Sequence, residues 1–428
     1  MIATVSPGGI RGLVNAIPSK SQLHRRLIFA ALADKPTTLR CGHTEAEDII
    51  ATIGCLTALG AQIEKTGSGF NIVPANRANL PDESSMPCHE SGSTLRFMLP
   101  IVCALGVCAQ FHMAGRLPQR PLNPLDEELS RNGIRFWRES DEILCCKGQL
   151  DGGQYSIPGD ITSQYVTGLL MALPLLDTKS TITVKKPIES ADYISMTLEA
   201  GAAYGLNPRI EEDEEYVRYI INPEIGFTSP GVDIAEGDWS NAAFWLCAGA
   251  MPGGSIQMSG LKKDSSQGDR KICAILEQMG ANVSWHDGIL SVSCSERREI
   301  VIDARDTPDL IPVLSAVAAV GKGTTIIKNA ARLRLKESDR LASTAQTLNA
   351  LGAQITEQAD GLTIRGVPNL KGGTVDAWGD HRIAMAVAIA SCACDESVII
   401  TGAQSTNKSY PSFWEELAGL GKIVEILK

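Results

Sequence analysis

The stretch "IPSKSQLHRRLIFAAL", residues 17–32, places Lys20, Arg25 and Arg26 in the first turns of a predicted helix. Pro18 with Ser19 or Ser21 reads as a helix start. Leu23, Leu27, Ile28, Ala31 and Leu32 recur at helical spacing and make one apolar face. A helix N-terminus already carries about half a positive charge, so cations there are unfavourable unless an anion joins them. The combination returns along the chain. Gly92 and Ser93 precede Arg96, and Thr162, Ser163 and Gln164 open a third helix. Ser240, Asp309 and Asp380 mark three more starts, the last followed by His381 and Arg382. Arg120, Lys336, Arg340 and Lys408 add cations in "RLPQRP", "LRLKESDRL" and "STNKSYP". Free N–H groups at helix starts, joined by Lys and Arg, suit small, multiply charged anions. Each feature alone has a plainer role. Ser, Thr and Asp are ordinary caps, and Lys336, Asp339 and Arg340 suit a solvated ion-pair face. His381 suits a buried hydrogen-bonding site, and Tyr193 an interface. The recurrence of cations against the dipole preference is what points to a ligand.

Composition narrows the partners. The chain has 428 residues, 21% charged and 44% hydrophobic, with 40 glycines and 5% aromatics, which favours an α/β protein with many turns. A net charge of −10 argues against nucleic acid or an acidic membrane as partner. The 12 cysteines lack metal-ligand spacing and read as small core residues of a reducing compartment. His24, His43 and His112 show no paired spacing, so no metal site is expected. "MIATVSPGG" lacks a basic region followed by an apolar run, and no segment reaches the roughly 18 apolar residues of a membrane span. A cytoplasmic location is the expectation.

The elements that would position these residues repeat six times. "CLTALGAQIEKTGSGFNIV" (55–73), "ILEQMGANVSWHDGILSVS" (275–293) and "TLNALGAQITEQADGLTIRG" (347–366) share one pattern of helix, glycine, strand, turn and strand. Weaker copies occupy 128–146, 198–222 and 414–427. The marker glycines are Gly60, Gly133, Gly205, Gly280, Gly352 and Gly421. A glycine there ends a helix in the left-handed conformation. With the earlier helix, one unit reads strand-helix-strand-helix-strand-strand, and such small units must pack on one another. The sixth stops after one strand, so "MIATVSP" is expected to complete it. The chain then crosses between two halves near 14–18 and 229–237, giving lobes of 1–16 with 236–428 and of 17–235, with the active site in the cleft between them.

The motifs "PSKSQLHRR", "SGSTLRF", "RP" at Arg120, "SQY", "KESDR", "DHRIAM" and "NKSYP", in this order, resemble the 5-enolpyruvylshikimate-3-phosphate synthase family over the full length of the chain. The resemblance implies a two-lobed enolpyruvyl-transferase fold, an inside-out α/β barrel with three βαβαββ-type units per lobe. It implies transfer of the enolpyruvyl group of phosphoenolpyruvate to the 5-hydroxyl of shikimate-3-phosphate through a tetrahedral ketal, with phosphate released. No metal or organic cofactor is implied, and a monomer is expected. Lys20, Gly92, Arg120, Gln164, Arg340, Arg382 and Lys408 match the phosphoenolpyruvate site. Lys20, Ser21, Arg25, Thr162, Ser163, Gln164, Tyr193, Asp309 and Lys336 match the shikimate-3-phosphate site. By the same resemblance Asp309 orients the attacking hydroxyl and takes its proton, Glu337 protonates the methylene carbon, and Lys20 balances charge or moves a proton.

The chain departs from the family pattern at Glu90-Ser91, where Asn-Ala is common, and at Ser93 and Thr162, where Thr and Ser are usual. A carboxylate at position 90 either points away or weakens the fit of phosphoenolpyruvate and of glyphosate, the family's herbicide inhibitor. Arg332 stands where a substrate-binding Asn is sometimes found, and that role is not carried over. Two other readings are a UDP-N-acetylglucosamine enolpyruvyl transferase, which typically bears a Cys in the loop before its Arg-Pro, and a non-catalytic anion-binding relative. "MAGRLPQRP" has no such Cys.

Overall fold

The computed structural model describes residues 1–223 and 226–427. Two compact units divide the chain: Met1–Ile17 with Glu236–Lys428, and Pro18–Ala235.

In the unit Pro18–Ala235 the described strands form three four-stranded sheets of one design. Gln154–Pro158 runs parallel to Ser180–Lys185, which pairs antiparallel with Tyr216–Ile221, and Arg209–Glu212 closes the hairpin. Glu83–His89, Cys108–Met113, Ile143–Lys147 and Arg135–Ser140 repeat that order. In the remaining sheet Val232–Ile234 supplies the parallel edge beside Thr37–Arg40.

The unit with both termini holds three such sheets. Its counterpart edge strand is Arg11–Asn15, parallel to Ser255–Ser259. In the sixth repeat Ile2–Val5 lies between Val398–Thr401 and Val424–Leu427, antiparallel to both, and so fills the missing strand. A strand left without ladder partners would bury unpaired N–H and C=O groups, which accounts for this long-range closure. All six marker glycines share one conformation, with φ between 88° and 100°.

Burial departs from the single apolar face expected of the first helix, Lys20–Ala31. Every residue from Gln22 to Ala31 is buried, His24, Arg25 and Arg26 included. These polar side chains are buried with partners: His24 Nδ1 meets Thr52 Oγ1 at 2.7 Å, and Arg26 pairs with Asp233. The helices Gly92–Ala104 and His381–Ala390 are likewise buried almost all round, so the sheets screen the helices from water. Gly168, in Ser163–Ala172, allows that helix close to Gly92–Ala104, because a Cβ there would collide with the Arg96 carbonyl.

Two helix starts differ from the sequence expectation. The fourth helix is Trp239–Ala250, capped by Asp238, so Ser240 sits inside its first turn. Asp309 lies in a 3-10 turn, Pro308–Leu310, before the helix Ile311–Ala319. Pro308 and Pro312 lack donors, and a first turn tolerates them without losing a helix bond.

Candidate active site

In the unit Pro18–Ala235, Ser19 caps the first helix and sets Lys20 in its first turn. Lys20 Nζ lies 2.6 Å from Asp48 Oδ2, at the start of the helix Glu47–Ala58. Asp48 is a residue that the spacing of cations did not reveal. Its carbonyl also accepts from Thr94 Oγ1 at 3.4 Å, and Thr94 Oγ1 bonds to Ser91 Oγ, the cap of the helix that begins at Gly92. The unusual Ser91 is thus an N-cap joined through Thr94 to the Lys20–Asp48 pair.

Gly92 is bare because two guanidinium groups cover it. A Cβ at 92 would stand 2.6 Å from Arg120 Nη1 and 2.8 Å from Arg96 Nη1. Arg96 donates to Gln164 Oε1 at 3.1 Å, and Gln164 Nε2 donates to Ser93 Oγ at 2.9 Å. Thr162 caps the helix carrying Ser163 and Gln164, its Oγ1 accepting the Gln164 N–H. Glu90 is exposed, and its carboxylate lies over the Gly115 backbone, in the loop that leads to Arg120.

Arg25 anchors the other side of this cluster. It donates to the Ser21 carbonyl at 2.7 Å, to Thr197 Oγ1 at 2.8 Å and to the Tyr193 carbonyl at 3.0 Å. Its guanidinium also lies over the rings of Phe97 and Tyr193. Burial lowers its pKa to about 10, so it stays cationic at neutral pH. This unit thus carries Lys20, Ser21, Arg25, Gly92, Arg120, Thr162, Ser163, Gln164 and Tyr193 at or beside the starts of its helices, with Lys20 paired to Asp48, Gln164 to Arg96, and Arg25 to the Ser21 and Tyr193 carbonyls. It adds Asp48, Arg96 and Thr197. The first and last gave no sequence signal, because their relevance lies in partners 28 and 172 residues away.

In the unit with both termini, Arg340 is 1% exposed and bonds three carboxylates. Its Nη1 meets Asp309 Oδ1 at 2.7 Å, Nη2 meets Glu337 Oε2 at 2.7 Å, and Nε meets Asp380 Oδ2 at 2.8 Å. This corrects the solvated-face reading of the "KESDR" segment: Arg340 starts the helix Arg340–Ala350 but faces inward. Arg382 Nη2 donates to Asp309 Oδ2 at 3.0 Å, and Lys336 Nζ lies 3.6 Å from Asp309 Oδ1. Burial alone would raise the Asp309 carboxyl. Arg382, Lys336 and Arg340 outweigh it and hold Asp309 well below the usual carboxylate range. Burial lowers Lys336 to about 8, with Asp309 pulling the other way. Arg332 donates to the Arg305 carbonyl at 2.6 Å.

Lys408 is buried at the end of the 3-10 turn Ala403–Lys408, which packs on the helix His381–Ala390. Its neighbour Ser409 bonds Asn241 Oδ1, and Tyr410 Oη bridges Trp245 and Glu416. No cluster of three or more potential metal ligands occurs among the described residues, and no described helix is long and apolar enough to cross a membrane.

The family model of EPSP synthase (3-phosphoshikimate 1-carboxyvinyltransferase) matches residues 5–417. The chain belongs to the EPSP synthase family. A 3-phosphoshikimate 1-carboxyvinyltransferase of Clostridium kluyveri is 41% identical over 419 residues, covering 98% of this chain and 97% of the relative. One from Clostridium beijerinckii is 39% identical over 434 residues, covering 98% of each. The fold matches EPSP synthase from Acinetobacter baumannii with a TM-score of 0.77 at 22% identity, over 99% of this chain and 100% of that one. It also matches the enolpyruvyl transferase NikO from Streptomyces tendae, with a TM-score of 0.75 at 18% identity, over 99% and 98%. At those identities the two structures speak for the fold alone. As an EPSP synthase family member, the chain is a transferase of the shikimate pathway, and its substrates are phosphoenolpyruvate and shikimate-3-phosphate. The UDP-N-acetylglucosamine alternative is not favoured.

Proposed function

We propose that the two residue clusters serve one reaction, the attack of the 5-hydroxyl of shikimate-3-phosphate on C2 of phosphoenolpyruvate. Asp309 accepts the hydroxyl proton, and Glu337 gives a proton to the methylene carbon, which becomes a methyl group. The adduct is a tetrahedral ketal. Breaking its C–O bond to phosphate and removing a methyl proton restores the vinyl group. A carboxylate held ionised by three cations is equipped to take a proton once substrate anions draw those cations away. The observation that carries this reading is Asp309 fixed between Arg340, Arg382 and Lys336, with Glu337 on the same Arg340.

Phosphoenolpyruvate and shikimate-3-phosphate each carry a phosphate and a carboxylate, and cations must separate them. We assign Lys20, Gly92, Arg120, Gln164, Arg340, Arg382 and Lys408 to phosphoenolpyruvate. Ser21, Arg25, Thr162, Ser163, Tyr193 and Lys336 are assigned to shikimate-3-phosphate, shared with Lys20, Gln164 and Asp309. Four of the five Arg340 N–H groups already meet carboxylates, so Arg340 offers an anion one Nη1 N–H. Phosphate release that requires both substrates, and is not supported by the UDP-sugar, is the expected assay result; release without shikimate-3-phosphate would refute the assignment. A cytoplasmic monomer is the further reading, its location supported by twelve cysteines that are all free. Sedimentation at micromolar concentration checks the monomer.

A further inference from the structure

Asp269 belongs to neither set of residues assigned above. It lies in the 3-10 turn Gly268–Lys271 and is 3% exposed. Its Oδ2 accepts the Ser240 hydroxyl, and its Oδ1 has no hydrogen-bond partner among the described residues. Its turn packs on the helix Trp239–Ala250, which Asp238 caps and which packs in turn on the Pro308–Leu310 turn carrying Asp309 and on the helix His381–Ala390 carrying Arg382, and these three charged groups act on it. On its own turn Arg270 is exposed, and Lys271 pairs with Asp306 at 3.0 Å.

A carboxylate this deep, with one oxygen unpaired, is far costlier ionised than protonated. Asp309 adds a like charge that is itself pinned in the ionised state. Arg382 is the cation that opposes this, and it is already bonded to the Asp309 side chain and carbonyl. Burial first, then Asp309, raise the Asp269 carboxyl to about 7.

We propose that Asp269 is a positioning residue for Arg382 and Asp309, a buried carboxyl that keeps its proton while Asp309 is ionised and so leaves Arg382 available to phosphoenolpyruvate. When Asp269 loses that proton, its charge competes for Arg382 and repels the incoming anions. The inference rests on the assignment of Arg382 to phosphoenolpyruvate.

The test is the KM for phosphoenolpyruvate against pH, at saturating shikimate-3-phosphate. In the unaltered enzyme KM climbs above about pH 7, by up to about tenfold per pH unit. Asp269→Asn, which cannot ionise, flattens that climb. Ser240→Ala removes a bond to the ionised form and moves the inflection to higher pH; it also decides the matter if Asp269→Asn does not fold. A climb in Asp269→Asn equal to that of the unaltered enzyme, or an unmoved inflection in Ser240→Ala, overturns the proposal. Arg382→Ala tests the underlying assignment separately: an unchanged KM there refutes the role of Arg382, whatever Asp269 does.

Discussion

Arg340 and Asp380 form a two-point ion pair with almost no exposure, 1% and 0% at their side chains, joined by Nε–Oδ2 at 2.8 Å and Nη2–Oδ1 at 3.3 Å. Asp380 also caps the helix His381–Ala390 through the Arg382 N–H and accepts Ser338 Oγ at 3.0 Å. The same carboxylate thus fixes two of the three cations that hold Asp309. Breaking a buried pair by removing one partner is strongly destabilising, because the other charge stays buried.

Asp380→Ala is therefore expected to lower unfolding stability by about 3–5 kcal/mol. Urea unfolding followed by circular dichroism measures it. A midpoint equal to that of the unaltered protein would contradict the role given to this pair.

Arg120 covers Gly92 at the helix start assigned above to phosphoenolpyruvate. Arg120→Ala is expected to weaken phosphoenolpyruvate by roughly 2–3 kcal/mol, the value of a charge-assisted bond, or about 30- to 150-fold in KM. Steady-state kinetics with varied phosphoenolpyruvate reads this directly, and an unaltered KM speaks against it.

Lys336 is a cation weakened by burial, with a pKa of about 8. Below that pH it is charged and can balance the shikimate-3-phosphate anion; above it the charge is lost. KM for shikimate-3-phosphate is expected to rise as pH passes about 8, and Lys336→Arg, always charged, is expected to suppress the rise. Identical pH profiles for the two proteins would remove Lys336 from this role.

Gly168 lets two helices meet so that Gln164 reaches Arg96. Gly168→Ala forces a Cβ against the Arg96 carbonyl and Pro100 Cγ, and overpacking of this kind costs about 1–3 kcal/mol. Thermal unfolding checks the stability. The loosened contact is expected to raise KM for phosphoenolpyruvate as well, and a neutral Gly168→Ala would count against the close-approach account.

The sixfold repeat was legible in the chain because its signals are local. A glycine that must adopt positive φ and an alternation that must face one side of a strand leave marks within twenty residues, at Gly60 as at Gly421. The candidate cations stood out for a related reason: Lys20, Arg25 and Arg382 sit where a helix dipole disfavours them. What distinguishes a solvated Arg340 from a buried one is not local. Its three carboxylates come from positions 309, 337 and 380, and only packing decides that its helix turns that face inward. Asp48 and Asp269 stayed hidden for the same reason. Acidic residues are common in any chain, and the burial and neighbours that give one of them a role exist only after distant segments have met. Propensity and dipole act through neighbouring residues, so the sequence alone determined the elements and the sign of the ligand. Desolvation and Coulomb energy depend on distances in space, so tertiary structure alone decided which groups are charged and what each one holds.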